Sequence, residues 1–349
     1  MLTVRQLTDQ DEKLYERFLA QDQHSLLYHS TRFRHLLKQL LKGEDHYFIA
    51  WQDGKIVGAL PAFRCESELG SCLNSLPFFG SNGGIIELSG NQKVRHSLLE
   101  AFERYARSSQ CLTSNIITSP FEDQLHTYER YTDWEGPSDK RFGQVTVLSS
   151  LNQANGTDLY EYFHPFTRRM IRKAQKNRVT VKEQNDPQAR DFLATVHRRN
   201  MEQIGGKVKP DAFFELLADA FEPAVDYKIW TAFVDDQMIA ALLLLYYNRS
   251  VEYYIPAILQ EYRNFQAQSL IIYRAMQEAA TRGYQYWNWG GTWPTQPGVY
   301  RFKKRWNTRK MPYYYYHRIY DPRILNYSKA DIQRAFPYCY VVPFDQLKA

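Results

Sequence analysis

The chain has 349 residues, 44% apolar and 23% charged, which excludes wholesale disorder and allows two domains, each with its own core. Its longest apolar run, Met238–Tyr247, is ten residues, too short to span a membrane, and the opening MLTVRQLTDQDEKLYERF has no basic segment followed by an apolar one, so no signal peptide is expected. The net charge of +6 is local: residues 164–182 carry seven Lys/Arg and no acid, residues 301–310 carry six and no acid, and elsewhere 31 basic residues face 38 acidic ones, a distribution that suits an anionic ligand.

Helix patterns occupy about 11–20 and 31–42. The strand pair Tyr47–Gln52 and Lys55–Arg64 follows, joined by the hairpin turn Asp53-Gly54. The loop Ser75–Gly84 leads to a helix near 93–108 and strands near 112–118 and 143–149. A second series opens with a basic helix near 166–177, then helices near 187–203 and 210–220 and strands 227–234, 237–248 and 250–256. A helix near 264–282, a strand at 284–289, a short helix near 298–306 and the aromatic strand Pro312–Tyr320 complete it. The fold class is therefore α+β.

The two series repeat. An offset of 182 aligns Ala50–Leu60 with Ala232–Leu242, with four identities and conserved aromatic, apolar or small character at most other positions. Element order agrees as well, so duplication of one domain is expected. The linker-like Ser149–Gly156 sets the boundaries at 1–150, 151–320 and a tail 321–349. The four cysteines form no CxxC and cluster with no His. Reduced thiols, a cytoplasmic protein and no metal are the expectation.

On the helix Phe166–Asn177, Phe166, Met170 and Ala174 share one side, and Arg168, Arg169, Arg172 and Lys176 spread over the other. No acid interleaves to neutralise them, so the face is either solvated or an anion site. In Gly298–Trp306, helical spacing turns Val299, Phe302 and Trp306 inward and leaves the Lys/Arg residues around them. The preceding Trp287-Asn288-Trp289-Gly290-Gly291 reads as a strand ending in a glycine pair, suited either to close ligand approach or to a buried strand end. Glu252, in the apolar-aromatic strand Val251–Ile255, shares a face with Tyr254 and not with Tyr253. Burial there would raise its pKa and suit a general base, whereas an edge position would leave it solvated. Motifs for Ser or Cys nucleophiles and for catalytic metals are absent.

Three segments in order resemble the Fem-type peptidoglycan aminoacyltransferases and the wider tandem GNAT-fold acyltransferases: Phe78–Gly84, Thr167–Lys176 and Gly298–Trp306, the last with Phe302-Lys303 at its centre. The resemblance implies two tandem GNAT-like domains, each a mostly antiparallel sheet flanked by helices, and a tail returning to the first. It implies amide formation on an amine of a peptidoglycan or surface-glycan precursor, with a nucleotide-linked sugar or peptide as acceptor. The donor would be a charged tRNA or an acyl-CoA, and no resident cofactor is implied. Lys303 would stabilise developing negative charge, with Glu252 and Tyr254 as further catalytic residues. Arg168, Arg169 and Arg172 would hold phosphate. Lys209 and Phe213 have the spacing of the family's acceptor grip, with Lys and Phe in place of Arg and Tyr. Phe79, Asn82, Gly83, Trp289 and Tyr300 complete the expected substrate-binding set. In Arg263–Gln268, Gln266 and Gln268 stand where CoA-binding loops carry Gly or Ala, which disfavours a conventional pyrophosphate site. An acyl-CoA-dependent N-acyltransferase of an amino sugar or metabolite is one alternative. A catalytically lapsed pair binding RNA or an anionic glycan is the other.

Overall fold

The computed structural model describes residues 1–129, 139–148, 159–343 and 346–347; the expected linker 149–156 lies outside them. The chain forms two compact units, Met1–Arg141 with Pro312–Ala349, and Phe142–Met311.

The first unit contains β1 (Leu2–Gln6), α1 (Glu12–Leu19), α2 (Thr31–Leu40), β2 (Gly43–Asp45), β3 (Phe48–Gln52), β4 (Lys55–Leu60), β5 (Phe63–Ser67), β6 (Gly70–Ser75), β7 (Ile86–Glu87), α3 (Gln92–Ser108), β8 (Thr113–Ile117) and α4 (His126–Glu129). Strand β9 (Asp139–Val147) crosses the boundary. The second unit continues with α5 (Pro165–Lys176), β10 (Thr180–Glu183), α6 (Pro187–Gln203), α7 (Asp211–Ala220), β11 (Tyr227–Val234), β12 (Gln237–Tyr247), β13 (Ser250–Ile258), α8 (Ala267–Thr281), β14 (Tyr286–Thr292) and α9 (Pro297–Lys304). Strand β15 (Thr308–Ile319) leads back to the first unit, which ends with α10 (Lys329–Ala335).

Corresponding elements recur. In the first unit β1, β3, β4 and β7 form one sheet; in the second the order is β10-β11-β12-β13-β14-β9. Both hairpins turn through two successive residues of positive φ, Asp53-Gly54 and Asp235-Asp236, as type I′ turns demand. Each also has a register shift at the aligned pair, Ala50/Trp51 in one and Ala232/Phe233 in the other. A bulge at equivalent positions supports descent from one domain more strongly than shared alternation does, because alternation is common to all half-buried strands. The copies diverge at the next strand, which is the two-residue β7 in the first unit and the nine-residue β13 in the second.

In the second unit the core lies under α8, whose Leu270, Ile271, Ile272 and Met276 pack with Trp287, Trp289 and Trp306. Each such side chain, fully buried, stabilises by about 1.5–3 kcal/mol. Helix α5 starts where Pro165 occupies the first turn and the His164 imidazole accepts from Phe166 N. Its buried side is Thr167, Ile171 and Ala174, one position round from the predicted stripe, and Phe166 and Met170 are half-buried.

The C-terminal segment packs into the first unit. Asn115 Nδ2 donates to Tyr340 O (2.8 Å) and Val341 O (3.1 Å), and Tyr340 N donates to Asn74 Oδ1 (3.0 Å). This corrects the expectation of four free thiols. Cys65 and Cys339, 274 residues apart, are disulfide-bonded, while Cys72 and Cys111 are free and buried. The return of the tail creates a pairing that local spacing could not reveal. Cys339→Ser is expected to lower stability by about 3 kcal/mol, measured by urea unfolding. Wild-type protein treated with reductant should match the variant; coincident curves with and without reductant would show that the bond contributes nothing.

Candidate functional site

Strands β13 and β14 are parallel neighbours joined through α8, yet they pair only over Ser250–Glu252 with Tyr286–Asn288. Past that point β13 keeps its bonds to β12, and β14 keeps its bonds to β9. Ligands of open α/β sheets bind beyond the carboxyl ends of such strands. Glu252 and Asn288 are the last pair before the strands part, and both are buried.

Asn288 Nδ2 donates to both Glu252 carboxylate oxygens, at 2.9 and 3.2 Å, and Asn288 Oδ1 accepts from Gly290 N at 3.0 Å. Gly290 has φ +65°, a left-handed conformation that glycine adopts without a Cβ penalty. Its carbonyl and that of Gly291 accept from Lys303 Nζ at 3.4 and 3.1 Å, and Thr292 Oγ1 accepts at 3.0 Å. A continuous hydrogen-bonded path thus runs from the Glu252 carboxylate to the Lys303 ammonium. Burial lowers the Lys303 pKa to about 8.

The bulge in β13 shapes the rest. Leu243 pairs with Ile255 and Leu244 with Tyr253, leaving Tyr254 as the extra residue. Tyr253 turns to the core and packs on Trp289 (5.0 Å between rings), whereas Tyr254 meets Phe213 (5.7 Å). Lys209 Nζ lies 5.1 Å from the Tyr254 ring centre. Burial, with the Glu252 charge adding to it, pushes the Tyr254 phenol up, and its buried hydroxyl has no hydrogen-bond partner among the described residues. Burial lowers the Lys209 amine to about 7. One side of this strand pair therefore offers a carboxylate, a phenol and an amine that titrates near neutrality, the equipment of proton transfer.

The structure brings Glu252, Tyr254, Lys209 and Phe213 to one side of β13 and ties Lys303 to them through Asn288. The remaining predicted residues lie elsewhere. Arg168 is ion-paired with Glu161; Arg169 covers Phe166 and, like Arg172, is exposed. Trp289 is a core residue whose Nε1 donates to Thr146 Oγ1 at 3.0 Å, so its face is not a ligand platform. Tyr300 packs against Phe142 (5.9 Å). In the first unit, Asn82 Nδ2 donates to Thr118 O and Gly83 N to Ile117 O, both at 2.8 Å. A Cβ on Gly83 would lie 2.3 Å from the Ser75 carbonyl carbon, so that glycine serves chain packing. Phe79, in the same loop, is half-buried.

Helix α9 is rotated from its predicted face, although Trp306 lies inward as expected. Lys303 and Trp306 are buried, whereas Val299 and Phe302 are 42% and 36% exposed. Gln268 also behaves unexpectedly. Its Nε2 donates to Ala241 O and Ala257 O, both at 2.8 Å, so the side chain is bonded to the sheet, while Gln266 takes the left-handed conformation (φ +62°) that begins α8. The residue missed as a site member is Asn288, whose signal was its place two residues before Gly290 at a strand end.

Residues 166–304 match a family model described as an acetyltransferase (GNAT) domain. No curated protein matches the chain. Among solved structures, FemX gives a TM-score of 0.71 at 14% identity over 92% of this chain and 98% of its own. A tandem GNAT protein from the clavulanic acid biosynthesis pathway gives 0.55 at 8% identity, over 91% and 98%. L-PGS from Bacillus licheniformis gives 0.52 at 14%, over 89% and 92%. The chain has the GNAT acyltransferase fold in tandem, the fold its motifs led us to expect.

Proposed function

We propose that the chain is an acyl- or aminoacyltransferase that forms an amide on an amine of a cell-envelope precursor, a peptidoglycan or surface-glycan unit carried on a nucleotide-linked sugar or peptide. The observation that supports it best is the Glu252–Asn288–Gly290–Lys303 path at the point where β13 and β14 part, within the residues that match the acetyltransferase model. In this reading Glu252 takes a proton from the acceptor ammonium. The freed nitrogen attacks the acyl carbon and a C–N bond forms. The nitrogen gives up a second proton to the leaving group as the carbon's bond to the donor oxygen or sulfur breaks, and the proton held by Glu252 passes to solvent. Lys209 and Tyr254 orient the amine, and the Lys/Arg residues outside the cleft draw in anionic substrate. Charged tRNA and acyl-CoA are both cytoplasmic donors, and this reading accordingly assigns the reaction to the cytoplasm.

The donor is the open choice, and Gln268 bears on it. A donor arm laid along β13 would need the Ala257 carbonyl, which the Gln268 amide already occupies. Calorimetric titration of CoA and acetyl-CoA is therefore expected to show no micromolar binding, and Gln268→Ala to introduce it. Transfer should then be detected with charged tRNA and a nucleotide-linked amine. Micromolar binding of acetyl-CoA to the wild-type chain would make acyl-CoA the donor.

A further inference from the structure

Two basic stretches that are far apart in sequence meet in the second unit. His164 N and Thr167 Oγ1 both donate to Arg305 O at 3.1 Å. The Phe166 ring carries the Arg305 guanidinium at 3.9 Å and that of Arg169 at 5.1 Å. The charges of α5 and α9 therefore form one surface. Arg169, Arg172, Lys173 and Lys176 on α5 and Arg301 and Lys304 on α9 are exposed, and none is ion-paired among the described residues.

Apolar groups accompany this charge. Trp293, Val299 and Phe302 are 43%, 42% and 36% exposed, three large apolar side chains within ten residues. Trp293 and Val299 belong to a stretch, 293–299, in which every residue is exposed. The rotation of α9 explains the arrangement: Lys303 takes an inward position beside Trp306 and leaves Val299 and Phe302 outside.

We infer that this face of the second unit docks on an anionic lipid bilayer, with Trp293, Val299 and Phe302 entering the headgroup boundary and the Lys/Arg residues of α5 and α9 on lipid phosphates. Exposed aromatic and aliphatic side chains amid unpaired cations are the equipment of interfacial anchoring. An RNA backbone would use the cations and stack bases on the aromatic rings, but it would give the aliphatic Val299 nothing to bury against. The inner side of the same helix carries Lys303 to the strand end, so docking brings the parting of β13 and β14 close to the lipid surface. The inference shares its cations with the acyl-transfer reading, which gives them to anionic substrate, and vesicle binding tests it without reference to turnover.

The test is co-sedimentation of the full chain with vesicles of phosphatidylcholine alone and with about one third phosphatidylglycerol. Binding is expected to the anionic vesicles only. Replacing Arg172 and Lys176 by Gln should weaken it roughly fivefold per charge. Trp293→Ser with Val299→Ser, both outside the core, should weaken it by about tenfold with the melting curve unchanged. Failure to bind anionic vesicles would overturn the inference, as would binding undiminished in the Trp293/Val299 variant. Displacement from vesicles by polyuridylate at equal phosphate would overturn it in favour of RNA.

Discussion

Glu252→Gln is expected to lower turnover by about 10²–10³-fold, with KM changed little and the melting curve unchanged. The size follows from the role: a positioned base contributes to the transition state, and an amide of the same shape cannot accept the acceptor amine's proton. The fold should tolerate the change, because Asn288 Nδ2 needs an oxygen acceptor and Gln supplies one in the same place. Asn288→Ala separates position from chemistry. It leaves the carboxylate ionisable but removes the donor that holds both oxygens, so a loss of about tenfold is expected, with Asn288→Gln or Asn288→Ser recovering part of it. Turnover of Glu252→Gln within about twofold of wild type would remove Glu252 from the chemistry and leave Lys209, whose amine titrates near pH 7, as the base to test.

Local chemistry made the hairpins legible. Asp53-Gly54 and Asp235-Asp236 mark turns by residue type alone, and the offset of 182 carried over to the bulges as well as to the residues. Strands β1, β2, β6, β7 and β10 were missed because what defines them is pairing: β6 is held by its neighbour β5 and by the distant β8, and β10 by the distant β11. Glu252 and Tyr254 were placed on one face correctly because the bulge falls at Tyr254 itself and leaves Glu252 in register with Leu245. The face of α9 was misjudged for a physical reason. Hydrophobic periodicity assumes that apolar groups turn inward, but here two strand-end carbonyls and a hydroxyl stabilise a buried ammonium, and that demand sets the helix rotation. Hydrogen-bond demand of this kind leaves no trace in a hydropathy pattern. Without it Phe302-Lys303 reads as an apolar anchor beside a solvated charge.

Lys303→Met is expected to lower turnover by about tenfold, and its pH behaviour distinguishes how the lysine acts. An ammonium has three N–H donors, and Gly290 O, Gly291 O and Thr292 Oγ1 take all three. In this arrangement Lys303 is a positioning residue: it fixes Gly290, which through its amide fixes Asn288 and so Glu252. Its folded pKa, lowered by burial to about 8, lies below the ordinary lysine value near 10.4. Between those values the unfolded chain binds more protons than the folded one, so stability rises with pH across the interval. Activity should fall across the same interval, because deprotonation removes one donor and the charge that orders the strand end. Wild-type protein should thus grow more stable and less active from about pH 8 to 10, while Lys303→Met should flatten the activity slope and reduce the stability slope, the remainder coming from Lys209. Chemical denaturation and initial rates over that range decide the matter. A rate that holds level to pH 10 while stability rises would mean that the charge of Lys303 is dispensable to the reaction and that its place in the strand end is structural alone.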